Sequence, residues 1–138
     1  MKDIFCRIIE GEIPCAKVYE DDDVLAFLDI AQATKGHTLV LPKVHYEDLL
    51  STPKETLNKV MAVAQRIGQA QISILHAKGV NIISNAGEAA GQSVPHFHVH
   101  VIPRYGETGG FEITMQRPKT DTIDLPRLAC SLHDEMNK

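Results

Sequence analysis

Pro95-His96-Phe97-His98-Val99-His100-Val101-Ile102 alternates histidine with apolar residues over three full steps. Side chains on a β-strand point to opposite faces in turn, so His96, His98 and His100 would share one face and Phe97, Val99 and Val101 the other. The apolar set can anchor a strand in a core. The imidazoles would then form a row with a spacing of about 6–7 Å, given the rise of a strand. A strand over Pro95 to Ile102 is therefore expected. A solvated polar strand face is the plain alternative, and three same-face histidines with unbroken hydrophobes opposite argue against it.

A neutral imidazole nitrogen is a nucleophile near neutral pH and can attack phosphorus or a carbonyl without a metal. Neighbouring imidazoles can bond phosphate oxygens or pass a proton to a leaving group. The same row could also ligate a metal. Spacing alone leaves these uses open. The preceding loop, Asn85-Ala86-Gly87-Glu88-Ala89-Ala90-Gly91-Gln92-Ser93-Val94, narrows the choice. Gly91 would let the backbone approach a ligand closely. Asn85, Gln92 and Ser93 offer neutral donors, which suit phosphate oxygens better than a closed metal site.

Outward from this run the chain reads as strands and two main helices. Ala16 to Glu20 and Val24 to Leu28 form a predicted hairpin around Asp21-Asp22-Asp23, and His37 to Leu41 is a β-rich run stopped by Pro42. Thr52-Pro53-Lys54-Glu55 reads as an N-cap, a first-turn proline and a capping-box glutamate. Leu57, Val60, Met61, Ala64, Ile67, Gly68, Ile74 and Leu75 then recur at helical steps. Gly79 is the expected C-cap, followed by a strand over Val80 to Ser84. Leu125, Leu128, Ala129, Leu132 and Met136 mark a short terminal helix. Five strands joined by short turns predict an α+β fold, an antiparallel sheet with helices on one face, as a single domain over residues 1–138.

The 138 residues, with 43% apolar content, suit one soluble domain. No apolar run reaches the roughly 20 residues of a membrane span, and Met1 to Cys6 is no signal peptide. Three cysteines, Cys6, Cys15 and Cys130, are an odd number at irregular spacing, so a disulfide framework is not expected. The cytoplasm is the expected location, with no membrane partner. A net charge of −4 argues against nucleic-acid binding, though local donors could still hold a small anionic ligand.

His96 to Ile102 matches His-φ-His-φ-His-φ-φ, with φ apolar, and the chain here resembles the histidine triad (HIT) family. The resemblance runs from Ile4-Phe5-Cys6-Arg7-Ile8-Ile9 through Phe27-Leu28-Asp29-Ile30 and Gly36-His37-Thr38-Leu39-Val40-Leu41-Pro42-Lys43 to Ile102-Pro103-Arg104. It is similar to the bacterial Hint-like branch, near proteins described as dinucleoside polyphosphate hydrolases. The resemblance implies a five-stranded antiparallel sheet with two main helices, paired as a homodimer. It implies a nucleotide substrate, with adenine favoured, cleaved at the α-phosphorus through a nucleotidyl-histidine. His98 would be the nucleophile, His100 the contact near the leaving group, and His96 and His37 supporting histidines. Asp29 would bond ribose hydroxyls beside Ile30 at the base, while Asn85, Gly91, Gln92 and Ser93 line the phosphate or leaving-group side.

No cofactor is implied for the chemistry. Some bacterial relatives hold a structural zinc through a Cys-x-x-Cys pair, a later histidine and the first triad histidine. Cys6, His45 and His96 stand at three of those positions, but Asp3 replaces the first cysteine. Aspartate can ligate zinc, so an Asp3-Cys6-His45-His96 site stays open, while the lost thiolate favours an absent metal. Residue by residue there are plainer readings too. His37 could be a buried histidine satisfied by backbone, Asp29 a turn residue, and His45 the exposed start of a helix. His76 and His133 read as helical surface residues. The rival functions are a nucleotide-binding regulatory module with incidental hydrolysis, and a nucleotidyltransferase. Leaving-group choice is expected to lie in the Tyr105 to Pro118 loop and the C-terminus.

Overall fold

A computed structural model describes residues 2–106, 112–116 and 122–138, so much of the Tyr105 to Pro118 loop lies outside the described residues. The elements are α1 (Ile4–Ile9), β1 (Lys17–Glu20), β2 (Val24–Leu28), β3 (Thr38–Pro42), α2 (Lys54–Leu75), β4 (Gly79–Ile83), β5 (Val99–Arg104) and α3 (Leu125–Met136). All strand pairs are antiparallel, in the order β1-β2-β3-β5-β4. This is the expected α+β fold.

The sheet sorts its apolar residues into two cores. On one face Val24, Ala26, Val40, Phe97, Val99 and Val101 meet Val60, Val63, Ala64 and Ile67, the three- and four-step stripe of α2. On the other, Leu25, Phe27, Leu39 and Leu41 gather around Phe5 of α1. Because β2 and β3 are covered on both sides, they are nearly continuous apolar runs rather than alternating ones. The expectation of helices on one face is thus corrected. Helix α1 is only six residues long, too short for a periodic signal, and it covers the face opposite α2. No helix among the described residues is long and apolar enough to cross a membrane.

Several boundaries also move. Thr52 does not cap α2; it closes a 3-10 turn over Leu49–Ser51, whose capping box is made by Asp48 and Ser51, and Pro53 occupies the N-cap of α2. Helix α2 ends at His76, which takes the left-handed conformation at φ 60°, so Gly79 is free to open β4. Pro42 ends β3 from inside the ladder, opposite Val24. Strand β5 begins at Val99 rather than Pro95, because the Phe97 N–H is taken by the Tyr46 carbonyl at 2.7 Å. The alternation nonetheless persists through residues 96–98, since Phe97 lies in the α2-side core and the His96 and His98 rings pack edge-on to Phe5. The apolar stripe of α3, Leu125, Leu128, Leu132 and Met136, is exposed.

Gly36 enters β3 at φ +103°, a conformation that L side chains rarely adopt. A Cβ there would also stand 2.5 Å from Leu75 Cδ1 and 3.2 Å from Pro103 Cγ. Leu75 can rotate away, so the backbone term dominates the cost. Gly36→Ala is expected to destabilise the protein by about 2 kcal/mol, read as a lower urea midpoint at unchanged m-value.

Candidate active site

The three triad histidines and His37 converge on the α1-side face of the sheet. His96 is 0% exposed, His98 7% and His37 5%, so a solvated polar face is excluded. His98 and His100 rings lie 5.0 Å apart at 65°, closer than a regular strand would set them, because residues 96–98 leave the ladder.

Hydrogen-bond partners fix which nitrogen of each ring carries a proton. His98 Nδ1 lies 2.7 Å from the His96 carbonyl. A carbonyl only accepts, so Nδ1 holds the proton and Nε2 keeps its lone pair. Ser84 at the end of β4 donates to the His98 carbonyl at 2.8 Å and pins the backbone beneath the ring. The Ala33 N–H donates to His37 Nδ1 at 3.2 Å, which leaves the His37 proton on Nε2. That proton points at His100 Nδ1, 2.9 Å away. A neutral His100 therefore carries its own proton on Nε2.

Burial sets the charge state. It lowers the pKa of His37 against the opposing pull of Asp29, and lowers that of His98 against the His96 carbonyl bond. His100 is pushed down to about 4 by burial and by its neighbours His98 and His37. Asp29 Oδ2 is 3.7 Å from His37 Nε2, too far for a hydrogen bond but near enough to favour a proton there. Its Oδ1 accepts the Ala31 N–H at 2.9 Å, so Asp29 also shapes the turn. Ile30 beside it is fully exposed, at 103%.

The loop upstream of the triad is stapled by Gln92. Its Oε1 accepts the Gly87 N–H at 2.8 Å, and its Nε2 donates to the carbonyls of Glu47 and Val94. In this conformation Gln92 supplies loop geometry rather than a free donor. Gly91 sits at φ +97° and Asn85 Nδ2 reaches its carbonyl at 3.5 Å, while Ser93 is exposed. Gly87, Glu88, Gln92, Ser93 and Pro95 line a polar hollow of about 390 Å³ with Glu47 and Asp48. An apolar hollow of about 330 Å³ lies behind the sheet, between β1–β3 and α2. The histidines line neither.

At the other end of the row Asp3, Cys6, His45 and His96 come together, with one ligating atom from each within 4.8 Å of the others. Asp3 Oδ1 caps α1 by accepting the Cys6 N–H at 2.8 Å. Its Oδ2 lies 3.0 Å from His45 Nδ1 and 3.3 Å from His96 Nδ1, yet it is buried without a well-directed hydrogen bond. His45 is exposed and starts no helix.

Sequence reasoning missed Phe5, Ser84 and the Tyr46 carbonyl. Asp3 three residues before Cys6 was a readable N-cap signal for α1 and hence for Phe5. Ser84 donates its side-chain hydroxyl to the His98 carbonyl and Tyr46 offers only its backbone oxygen, pairings that leave no mark in sequence.

A family model described as the HIT domain matches residues 10–107. The chain belongs to the HIT family. "Protein hit" of Bacillus subtilis is 52% identical over 108 residues, 78% of this chain and 74% of that protein. The adenylylsulfatase HINT3 of Arabidopsis thaliana is 41% identical over 101 residues, 73% of this chain and 51% of that protein. The crystal structure of a Zn-bound histidine triad family protein from Mycobacterium smegmatis is similar at TM-score 0.73 and 41% identity, over 97% of this chain and 94% of that one.

The Asp3 cluster of this HIT chain fits a zinc-like cation. His96 Nε2 is 3.0 Å from the Pro42 carbonyl and must hold the proton there, so a neutral His96 turns an unprotonated Nδ1 toward the Asp3 carboxylate. Asp3 Oδ2 is buried without a hydrogen bond, and Cys6 Sγ lies 3.6 Å from the same His96 nitrogen, so these atoms can close on a cation. A carboxylate, a thiol and two imidazoles are a suitable donor set.

Histidines kept neutral by the fold also make its stability pH-dependent. Below the ordinary 6.5 the unfolded chain gains protons that folded His100 refuses until about 4, and burial holds His37 in the same direction. Stability is present in full above pH 6.5 and is lost as pH falls toward 4. Urea midpoints should drop between pH 7 and pH 5, and His100→Asn should flatten that slope.

Proposed function

We propose that this chain is a nucleotide hydrolase that cleaves nucleoside 5′-phosphoramidates or dinucleoside polyphosphates at the α-phosphorus through a nucleotidyl-histidine on His98. The observation that carries the reading is the His98 Nδ1–H bond to the His96 carbonyl, which leaves Nε2 with its lone pair and, among the described residues, no hydrogen-bond partner. Nε2 attacks phosphorus, and the bond to the leaving nitrogen or oxygen breaks. His100 Nε2–H stands beside it as a hydrogen-bond donor to that leaving atom, and the leaving atom takes its proton from water. Water then cleaves the phosphorus–nitrogen bond and frees His98. No cofactor enters these steps.

Binding roles follow the same face. Asp29 bonds the ribose hydroxyls, and exposed Ile30 lies against the base, with adenine favoured. Asn85, the Gly91 backbone and Ser93 take the phosphate or leaving-group side, on the loop that Gln92 holds in shape. The adenylylsulfatase relative supports an activity on adenylylated substrates and adds adenylyl sulfate to the panel to be tried. The chain acts as a cytoplasmic homodimer. Zinc held by Asp3, Cys6, His45 and His96 would be structural, tying the N-terminus to the first triad histidine. It would leave the Nε2 of His98 free.

His98→Ala should lower kcat/KM by roughly 10³-fold or more on the best substrate while nucleotide binding survives. His98→Gly with added imidazole should recover part of the rate. Wild-type rates in purified His98→Ala would refute the covalent route. For the metal, elemental analysis of protein purified without chelator should find about one zinc per chain, and Cys6→Ala should remove it.

A further inference from the structure

The turn from Asp29 to His37 is closed by the Asp29 N–H bond to the His37 carbonyl at 3.0 Å, and one side-chain amide braces it from within. Gln32 Nε2 donates to the Asp29 carbonyl at 2.5 Å and to the His37 carbonyl at 2.8 Å, while its Oε1 accepts the Gly36 N–H at 2.7 Å. Both ends of the turn and its last residue but one are thus tied to a single group. From behind, Gln71 of α2 donates to the Gly36 carbonyl at 3.0 Å and to the Val101 carbonyl of β5 at 3.1 Å, which fixes the turn against the strand that carries His100. Within this ring the Ala33 N–H is aimed at His37 Nδ1.

That amide does more than occupy an acceptor. An N–H cannot face a second N–H, so Ala33 forbids a proton on His37 Nδ1 and leaves only the Nε2–H form. His37 Nε2–H in turn occupies His100 Nδ1 at 2.9 Å and sends the His100 proton to Nε2. The chain of donation runs from a backbone amide through two rings to the atom that faces the reacting group. Were the turn to loosen, either ring could adopt the other tautomer, and His100 would meet the leaving group with a lone pair in place of a proton.

We propose that Gln32 is a positioning residue that sets the tautomers of His37 and His100 by holding the Ala33 N–H on His37 Nδ1. It touches no reacting atom. The catalytic part of this statement rests on the hydrolase reading above, but the tautomer part stands on the free protein alone. Gln32 is exposed, so its replacement should leave the core intact.

The test uses the full chain with ¹⁵N-labelled histidine. Long-range proton–nitrogen spectra at pH 7.5 should show wild-type His37 and His100 each as the Nε2–H tautomer. Gln32→Ala should shift both rings to a tautomer mixture and lower kcat by about tenfold, with KM changed less than twofold. Gln32→Asn, with a shorter reach, should fall between the two. If wild-type His37 is protonated on Nδ1, or if Gln32→Ala leaves both tautomers pure, the inference is overturned. A wild-type enzyme inactive on every nucleotide offered would sink the hydrolase reading, while the spectra alone would still decide the tautomer claim.

Discussion

The burial of Phe97, Val99 and Val101 against α2 is the constraint from which the site follows. Once those three side chains enter one core, strand geometry sends His96, His98 and His100 to the opposite face. That face is not open water, because α1 covers it with Phe5. Each imidazole placed there has at least one nitrogen held by a nearby fixed group, a backbone carbonyl or the neighbouring ring. An unpaired buried polar atom costs on the order of 1–3 kcal/mol, more than most single hydrogen bonds contribute. The fold therefore selects proton positions as firmly as it selects rotamers.

The row has two unlike ends. His96, fully buried, is tied to the Pro42 carbonyl and faces the Asp3, Cys6 and His45 cluster at the N-terminus. His100 is tied through His37 to the Asp29 turn. His98 lies between the Asp3, Cys6 and His45 cluster and the hydrogen-bonded His37–His100 pair. Burial keeps His98 and His100 below the ordinary histidine range, so neither needs to lose a proton near neutrality. A nucleophile and a donor can share one protein face only if each holds its single proton on the right atom. The carbonyl of His96 and the amide of Ala33 arrange that from opposite sides.

Much of this is legible in the sequence. Alternation over residues 96–101 located the buried set and the chemical set, and the helical stripe of α2 from Leu57 onward named the residues that cover them. Motif resemblance brought His37, Asp29 and the Asp3 cluster to notice. What escaped was non-local or too short to be periodic. Six residues of α1 offer fewer than two turns, and its purpose is visible only when Phe5 meets the histidine rings. Thr52 looked like a cap because Pro53 and Glu55 follow it, but the preceding 3-10 turn claims its hydroxyl for the Asp48 carbonyl. Strand β5 starts late because Tyr46, fifty-one positions away, takes the Phe97 amide. Gln32 is an exposed polar residue in a turn, and only its three simultaneous bonds mark it out.

The central claim is that one neutral ring nitrogen, freed by a carbonyl on the far side of the same ring, forms a bond to phosphorus. Rapid acid-free quenching during turnover of an adenosine 5′-phosphoramidate, followed by peptide mass spectrometry, tests it most directly. The account predicts an adenylyl group on the peptide holding His98, assigned to that ring by fragmentation, forming and decaying at least as fast as turnover. Steady hydrolysis with the group on another residue, or with no adduct at any quench time, would contradict it.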